Sequence, residues 1–111
     1  MKLWIDDVRP APEGYVWCKS VNAAKKWIMT FERRVALLRA KSLSVTVPTF
    51  EIIDIDHDAG DYARDGGDYI KLLDWFEETG RNYPIHIHSA NAVGIANMRR
   101  IIQRNGWREV F

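Results

Sequence analysis

Apolar and polar positions follow two different periods along this chain, and the places where the period changes mark its elements. Lys2-Leu3-Trp4-Ile5 and Tyr15-Val16-Trp17-Cys18 are short runs rich in aromatic and β-branched residues, as strands are. Pro10, Pro12 and Gly14 between them make a stiff loop with no room for a helix. From Val21 the period changes. Val21, Ala24, Ile28, Phe31, Val35 and Leu38 recur every three or four residues, one apolar stripe on a long helix over residues 21–40. Ser20 is its expected N-cap. Twenty helical residues reach ~30 Å, about the diameter of a small domain. The pattern therefore predicts either a kink near Thr30 or a second half that projects. The plain reading of the stripe is packing on its own sheet; a homodimer contact through this helix is the alternative.

Residues 43–47 alternate weakly, as a short edge strand or a loop. Ile52, Ile53 and Ile55 are apolar on both faces, which predicts a central strand over residues 50–55. Residues 58–68 are dense in Gly and Asp and read as an irregular loop. Asp68 or a neighbour starts a helix with Tyr69, Leu72, Leu73 and Phe76 inward, and Gly80 ends it. Pro84 introduces a strand over residues 85–88. Asn91 caps a helix with Ile95, Met98, Ile101 and Ile102 inward, ended by Gly106. Residues 107–111 are a closing strand. The order β, β, α, β, α, β, α, β predicts a three-layer α/β fold with a mainly parallel central sheet of about five strands. The first crossover helix is missing. The first two strands are then joined by an extended loop, or are not a simple parallel pair.

Three strands end in polar groups, where open α/β sheets keep their ligands. The first ends in Asp6-Asp7, the central one in Asp56-His57-Asp58, and the next in His86-Ile87-His88-Ser89-Ala90-Asn91. Converging carboxylates repel, and a hard divalent cation is the usual remedy. Asp6, Asp7, Asp56 and Asp58 are thus candidate ligands of Mg²⁺ or Mn²⁺. The competing reading has some of them capping helices or pairing with Arg9, Arg64 or Lys71. Asp54 reads as a deeper, hydrogen-bonded residue. A calcium loop starting at Asp54 is disfavoured by Ala59 at the glycine position and by the strand ahead of it. An aspartyl nucleophile motif of the haloacid-dehalogenase type would open a fold, not sit mid-chain. His86 and His88 share one strand face; His86 reads as a core group. His88, or else His57, is the candidate acid or base. Ser89 and Asn91, at a helix start, are placed to hold phosphate oxygens, with simple capping as the alternative for Asn91.

At 111 residues the chain makes one domain, residues 1–111, and its 47% apolar content with five Trp argues against disorder. A net charge of +1 gives no global attraction to nucleic acid or membrane. The single cysteine, Cys18, excludes an internal disulfide and fits a reducing compartment. Asp6, Asp7 and Arg9 interrupt the apolar run near the N-terminus, so no signal peptide is expected, and no stretch approaches ~20 apolar residues. The expectation is a soluble cytoplasmic domain without membrane contact. Lys25, Lys26, Arg33, Arg34, Arg39 and Lys41 cluster on the first helix, by default a solvated face; no stacking-aromatic motif supports RNA contact there. Walker loops, zinc spacings and Gly-x-Ser-x-Gly elbows are absent from the sequence.

Asp6-Asp7 after the first strand, Asp56 after the middle strand and Ser89-Ala90 after the next resemble a response-regulator receiver domain, a flavodoxin-like fold. In that family the acidic pair and the middle aspartate bind Mg²⁺, the latter accepts a phosphoryl group, and the Ser/Thr senses it. The chain departs by lacking the first crossover helix and the lysine after the last strand. Both departures fit a narrower group. Leu3-Trp4-Ile5-Asp6-Asp7-Val8-Arg9-Pro10, Ile55-Asp56-His57-Asp58-Ala59-Gly60 and His86-Ile87-His88-Ser89-Ala90-Asn91-Ala92-Val93-Gly94 with Met98 are similar to the cyclic-phosphate-processing receiver-like domain. Ala59, usually a bulkier apolar residue, and the longer first helix are departures from it. The resemblance implies metal-assisted processing of a cyclic phosphate on a nucleotide or RNA end. On that reading Asp6, Asp7, Asp56 and Asp58 bind the metal, His88 or His57 exchanges protons, and Arg9, Ser89 and Asn91 hold phosphate oxygens. The rival is a non-enzymatic receiver-type module that binds phosphate, or takes a phosphoryl group on Asp56, and acts through protein interaction.

Overall fold

The computed structural model describes residues 1–41 and 49–111. Its elements run β1 (Lys2–Ile5), β2 (Tyr15–Cys18), α1 (Val21–Lys41), β3 (Ile52–Ile55), a 3₁₀ turn (Gly60–Arg64), α2 (Ile70–Thr79), β4 (Ile85–Ile87) and α3 (Ala92–Asn105). The sheet has the order β2-β1-β3-β4, and every pair is parallel. β1 and β2 pair in parallel although only residues 6–14 join them, and that link contains no helix. The expected weak strand or loop at residues 43–47 lies outside the described residues.

The expected five-strand count is corrected to four. Residues 107–111 meet β4 at one bridge, Ile85 with Glu109. Two side-chain attachments hold this segment from either side. Trp107 sits edge-on to Phe76 of α2, at 6.2 Å between centroids. Glu109 takes paired bonds from the Arg99 guanidinium on α3, at 2.6–2.9 Å. Between these two attachments the backbone follows β4 for one rung.

The other departures are local. β3 starts at Ile52, because Phe50 is drawn into an aromatic group with Phe31 and Tyr83, at 4.6 and 4.8 Å between centroids. Of the two starts expected for α2, the neighbour of Asp68 takes the place: Tyr69 is at the N-cap position, while Asp68 Oδ1 accepts from Ala59 N at 3.1 Å and closes the preceding loop. The N-caps expected for the other helices are present. Ser20 Oγ accepts from Ala23 N at 3.0 Å, and Asn91 Oδ1 from Gly94 N at 2.9 Å. α1 is one continuous helix through Thr30, whose hydroxyl donates to Lys26 O at 2.8 Å. Its fully buried residues, Val21, Ala24 and Ile28, all lie in the first half, while Leu37 and Leu38 are exposed, so the second half projects.

The core is apolar and continuous. Leu3, Ile5, Ile53, Ile55 and Ile85 from the sheet pack with Leu72, Leu73 and Phe76 of α2, Met98 and Ile102 of α3, and Ile28 of α1. Each such large side chain contributes roughly 1.5–3 kcal/mol by leaving water. No helix among the described residues is long and apolar enough to cross a membrane.

Candidate functional site

The register of the sheet builds the site. Ile5 of β1 pairs with Ile55 of β3, and Ile55 pairs with Ile87 of β4. The next residue on each strand, Asp6, Asp56 and His88, therefore leaves the sheet at one level. This edge lies at the carboxyl ends of the strands. It includes the point where the connections from β1 and β3 depart to opposite sides, the usual ligand position in open α/β sheets.

Three carboxylates meet there. Asp6, Asp7 and Asp56 each bring an oxygen into a group whose members lie within 4.8 Å of one another. Asp6 is fully buried and already committed. Its Oδ1 accepts from Val8 N and Arg9 N, both at 3.0 Å, and its Oδ2 faces His88 Nε2 at 2.9 Å. Burial favours the neutral acid, but these two amides and the imidazole outweigh it and hold Asp6 below the ordinary carboxylate range. Asp7 has the opposite balance. Burial and the neighbouring Asp6 and Asp56 carboxylates raise it above its usual value. Asp56 Oδ1 accepts from His57 N at 2.7 Å, while its Oδ2 takes no hydrogen bond among the described residues. The donor set is all oxygen and carries excess negative charge, which fits a hard divalent cation such as Mg²⁺ or Mn²⁺.

The geometry separates the two candidate histidines. His88 lies between two carboxylates, with Nδ1 at 2.5 Å from Asp54 Oδ1 and Nε2 at 2.9 Å from Asp6 Oδ2. Its ring stacks on Trp4 at 3.8 Å and 7° between planes. Trp4 is itself fixed by its indole N–H, which donates to Arg9 O at 2.8 Å. Burial opposes the His88 cation, but Asp54 and Asp6 overcome it and raise its pKa. Both ring nitrogens are occupied. His57, by contrast, uses only Nδ1 among the described residues, at 2.9 Å from Asp58 Oδ1. Asn91 Nδ2 reaches Asp58 from the other side, at 3.3 Å from Oδ2. The His57 contact, with Asn91 in support, holds Asp58 below the ordinary range.

Not every expected ligand joins the group. Asp58 belongs to this His57–Asn91 arrangement and not to the three-carboxylate cluster. Asp54 is the deep, hydrogen-bonded residue expected. His86 is a satisfied group of the β4 edge, its Nδ1 at 2.7 Å from Val110 O. Ser89 Oγ accepts from Asn91 N at 3.1 Å and shapes the turn into α3. Arg9 is exposed, and its side chain makes no hydrogen bond or ion pair among the described residues.

Sequence reasoning passed over three supporting residues. Trp4 is one; its signal was an indole two residues before the acidic pair, on the same strand face. Gly60 is another. It has φ +55°, and a Cβ there would stand 2.4 Å from Asp7 Oδ2. Gly94 is the third; a Cβ would stand 2.4 Å from Cγ of the His57 ring. Gly94 occupies the first turn of a regular helix, where no local pattern asks for glycine. Behind the cluster, the fully buried Tyr69 hydroxyl donates to Lys19 O at 2.7 Å. Burial and the three carboxylates push its pKa far up, so it stays a neutral donor.

A cavity of about 590 Å³ lies at the opposite edge, lined by Phe31, Glu32, Arg39, Phe50 and Tyr83 among others. It contains none of the acidic group, and the chemistry points to the carboxylate edge instead. No curated protein and no solved structure matches the chain. A family model does match. Over residues 1–104 the chain fits the family described as the cyclic-phosphate processing Receiver domain, and it belongs to that family.

Proposed function

We propose that this domain is a metal-dependent phosphoesterase that opens cyclic phosphates on nucleotides or RNA ends. The observation that carries the reading is the meeting of Asp6, Asp7 and Asp56 within 4.8 Å at the carboxyl edge of the sheet. Asp7 and Asp56 would hold Mg²⁺ or Mn²⁺ through their less committed oxygens, with Asp6 as the anchored third member. A cation so held supplies Lewis-acid polarisation of a phosphoryl oxygen and lowers the pKa of water.

The chain's own residues have distinct tasks. His88 keeps Asp6 ionised and oriented, with Asp54 and Trp4 fixing the ring. With its Nδ1–H directed at Asp58, His57 presents a free Nε2 lone pair, the arrangement of a general base held by a carboxylate. His57 takes a proton from the attacking water. The water oxygen bonds to phosphorus, the bond from phosphorus to one ribose oxygen breaks, and that oxygen gains a proton. The product is a phosphomonoester. Arg9 offers an exposed cation to the phosphate at the mouth of the site, and Ser89 and Asn91 shape the α3 turn beside it.

The rival reading rests on the unbonded Asp56 Oδ2, a free acceptor for a phosphoryl group. Incubation with 2′,3′-cyclic mononucleotides and Mg²⁺ or Mn²⁺ separates the two. Metal-dependent opening, lost in Asp56→Asn and lowered about 100-fold or more in His57→Gln, supports the enzyme. A stable phosphoryl adduct on intact mass after exposure to a small phosphodonor, without turnover, supports the module.

A further inference from the structure

We infer that the outer face of α1 is a binding surface for the sugar-phosphate backbone of a single-stranded RNA, so that the substrate of this site is a strand end and not a free mononucleotide. The choice of RNA rests on the cyclic-phosphate reading above; the surface itself rests on charge and placement.

A net charge of +1 conceals a strong segregation. α1 carries Lys25, Lys26, Arg33, Arg34, Arg39 and Lys41 against one carboxylate, Glu32. Glu32 is already bound by the Arg81 guanidinium, at 2.8 Å. Elsewhere the cations are more often neutralised in pairs, Lys71 with Asp74, Arg99 with Glu109 and Arg104 with Glu77. On α1, none of Lys26, Arg33, Arg34, Arg39 and Lys41 pairs with a carboxylate among the described residues, and all are exposed. Residues 42–48, which follow, contain no charged residue that could neutralise them. Cations without a carboxylate partner are thus densest on this one helix, while Arg9, Lys19, Arg64, Arg100 and Arg108 are scattered over the rest of the described residues.

Lys26, Thr30, Arg33, Leu37 and Lys41 fall on one stripe at helical spacing, opposite the side that buries Val21, Ala24 and Ile28. From Lys26 to Lys41 the stripe spans ~22 Å. The helix starts beside the site: Lys19 O, just before α1, accepts the Tyr69 hydroxyl bond, and Cys18 O accepts from Asp6 N at 3.3 Å; Lys26 follows ~8 Å along the axis from Val21. Its lower end, near Arg39, reaches the opposite edge of the sheet, where Thr49 and Pro84 lie. A strand whose end is in the acidic site has a cationic track along which its remaining phosphates can run.

The occupant follows from what the face lacks. A membrane-surface helix lays one continuous apolar face in the lipid, but the large apolar residues that α1 leaves exposed, Met29, Leu37 and Leu38, are spread around the helix and form no such face. A protein partner would need a desolvated apolar centre, and this stripe offers a single leucine. Spaced, exposed, unpaired cations are what a polyanionic strand requires, through release of its counterions.

The test uses the whole chain and a fluorescent single-stranded RNA ten-mer ending in a 2′,3′-cyclic phosphate, read by anisotropy across 50–200 mM salt. Lys26→Gln/Arg33→Gln/Lys41→Gln is compared with Arg100→Gln/Arg108→Gln, which removes exposed charge from elsewhere. The expected result is salt-dependent binding whose log–log slope falls by about 2 in the α1 variant, at about 0.7 per cation. The control variant should stay near the unaltered slope. An unchanged slope in the α1 variant, an equal loss per charge in the control, or tight binding to anionic vesicles with none to RNA would each overturn the inference. All substitutions are at exposed positions, and thermal melts check the fold. Opening of a cyclic mononucleotide reads the acidic site alone. Its absence would count against the proposed function and leave RNA binding still measurable.

Discussion

At the scale of single residues, the site is held by groups that touch no substrate. Asp54 is the clearest. It is 7% exposed, it pairs across the sheet with Trp4 and His86, and its carboxylate fixes His88 Nδ1. Asp54→Asn keeps the shape but weakens the bond to a cationic ring. We expect a loss of about 2 kcal/mol, since charge-assisted buried bonds contribute about 1.5–3 kcal/mol. Chemical denaturation would measure it, and a loss under 0.5 kcal/mol would show that His88 finds another partner. Gly94→Ala makes a different prediction. The methyl group would enter the His57 ring, so the imidazole must turn away from Asp58. Helix propensity alone favours Ala over Gly by about 1 kcal/mol. The contact is with Cγ, at the root of the side chain, so this gain is outweighed: activity should fall about 10-fold or more, because about 1.4 kcal/mol of misplacement is tenfold in rate, and the Tm should fall as well. Undiminished turnover in a folded Gly94→Ala chain would remove His57 from the mechanism.

At the scale of elements, Glu32 ties α1 to the turn before β4. It accepts paired bonds from Arg81 and a bond from the Tyr83 hydroxyl. Burial raises its pKa, but Arg81 and Tyr83 outweigh that and leave it below the ordinary value of 4.5. A depressed folded value means that this stabilisation is complete above pH 4.5 and is lost as pH falls through the folded value. Glu32→Gln should then destabilise the chain by about 2 kcal/mol at neutral pH. Its Tm should fall less steeply than that of the unaltered chain as pH drops below 4.5. Parallel acid limbs would place the acid sensitivity elsewhere.

Elements were legible wherever local pattern and tertiary packing agree. The α1 stripe, the caps at Ser20 and Asn91 and the glycine stops at Gly80 and Gly106 all depend on neighbours within a turn. The closing strand was not legible, because Arg99 and Phe76 decide how far residues 107–111 follow β4. The acidic group was legible because strand ends converge in any parallel sheet. The division of labour between His57 and His88 was not. It depends on a register that sets Asp54 beside β4, and on a missing Cβ in α3.

At the scale of the whole molecule, the chain holds like charges together at one edge and stays folded despite them. Asp7 is where the strain is greatest, since burial and two neighbouring carboxylates all favour its neutral form. A carboxyl raised in the folded state contributes stability below its unfolded value, near 3.8, and loses it as pH rises through the folded value. At neutral pH the metal-free chain therefore bears the full repulsion. Asp7→Asn removes that repulsion, so in chelator its Tm should exceed that of the unaltered chain. A saturating cation reverses the order. Binding only to the folded state stabilises by about 2.7 kcal/mol at a hundred times Kd, or roughly 10 °C for a chain of this size. The unaltered chain should gain this with Mg²⁺ or Mn²⁺, and Asp7→Asn should gain much less. The crossing of the two Tm values between chelator and cation is the signature of a metal centre at this edge. Two melting curves that keep their order in both conditions would mean that the three carboxylates hold no cation and that the folded chain simply tolerates their charge.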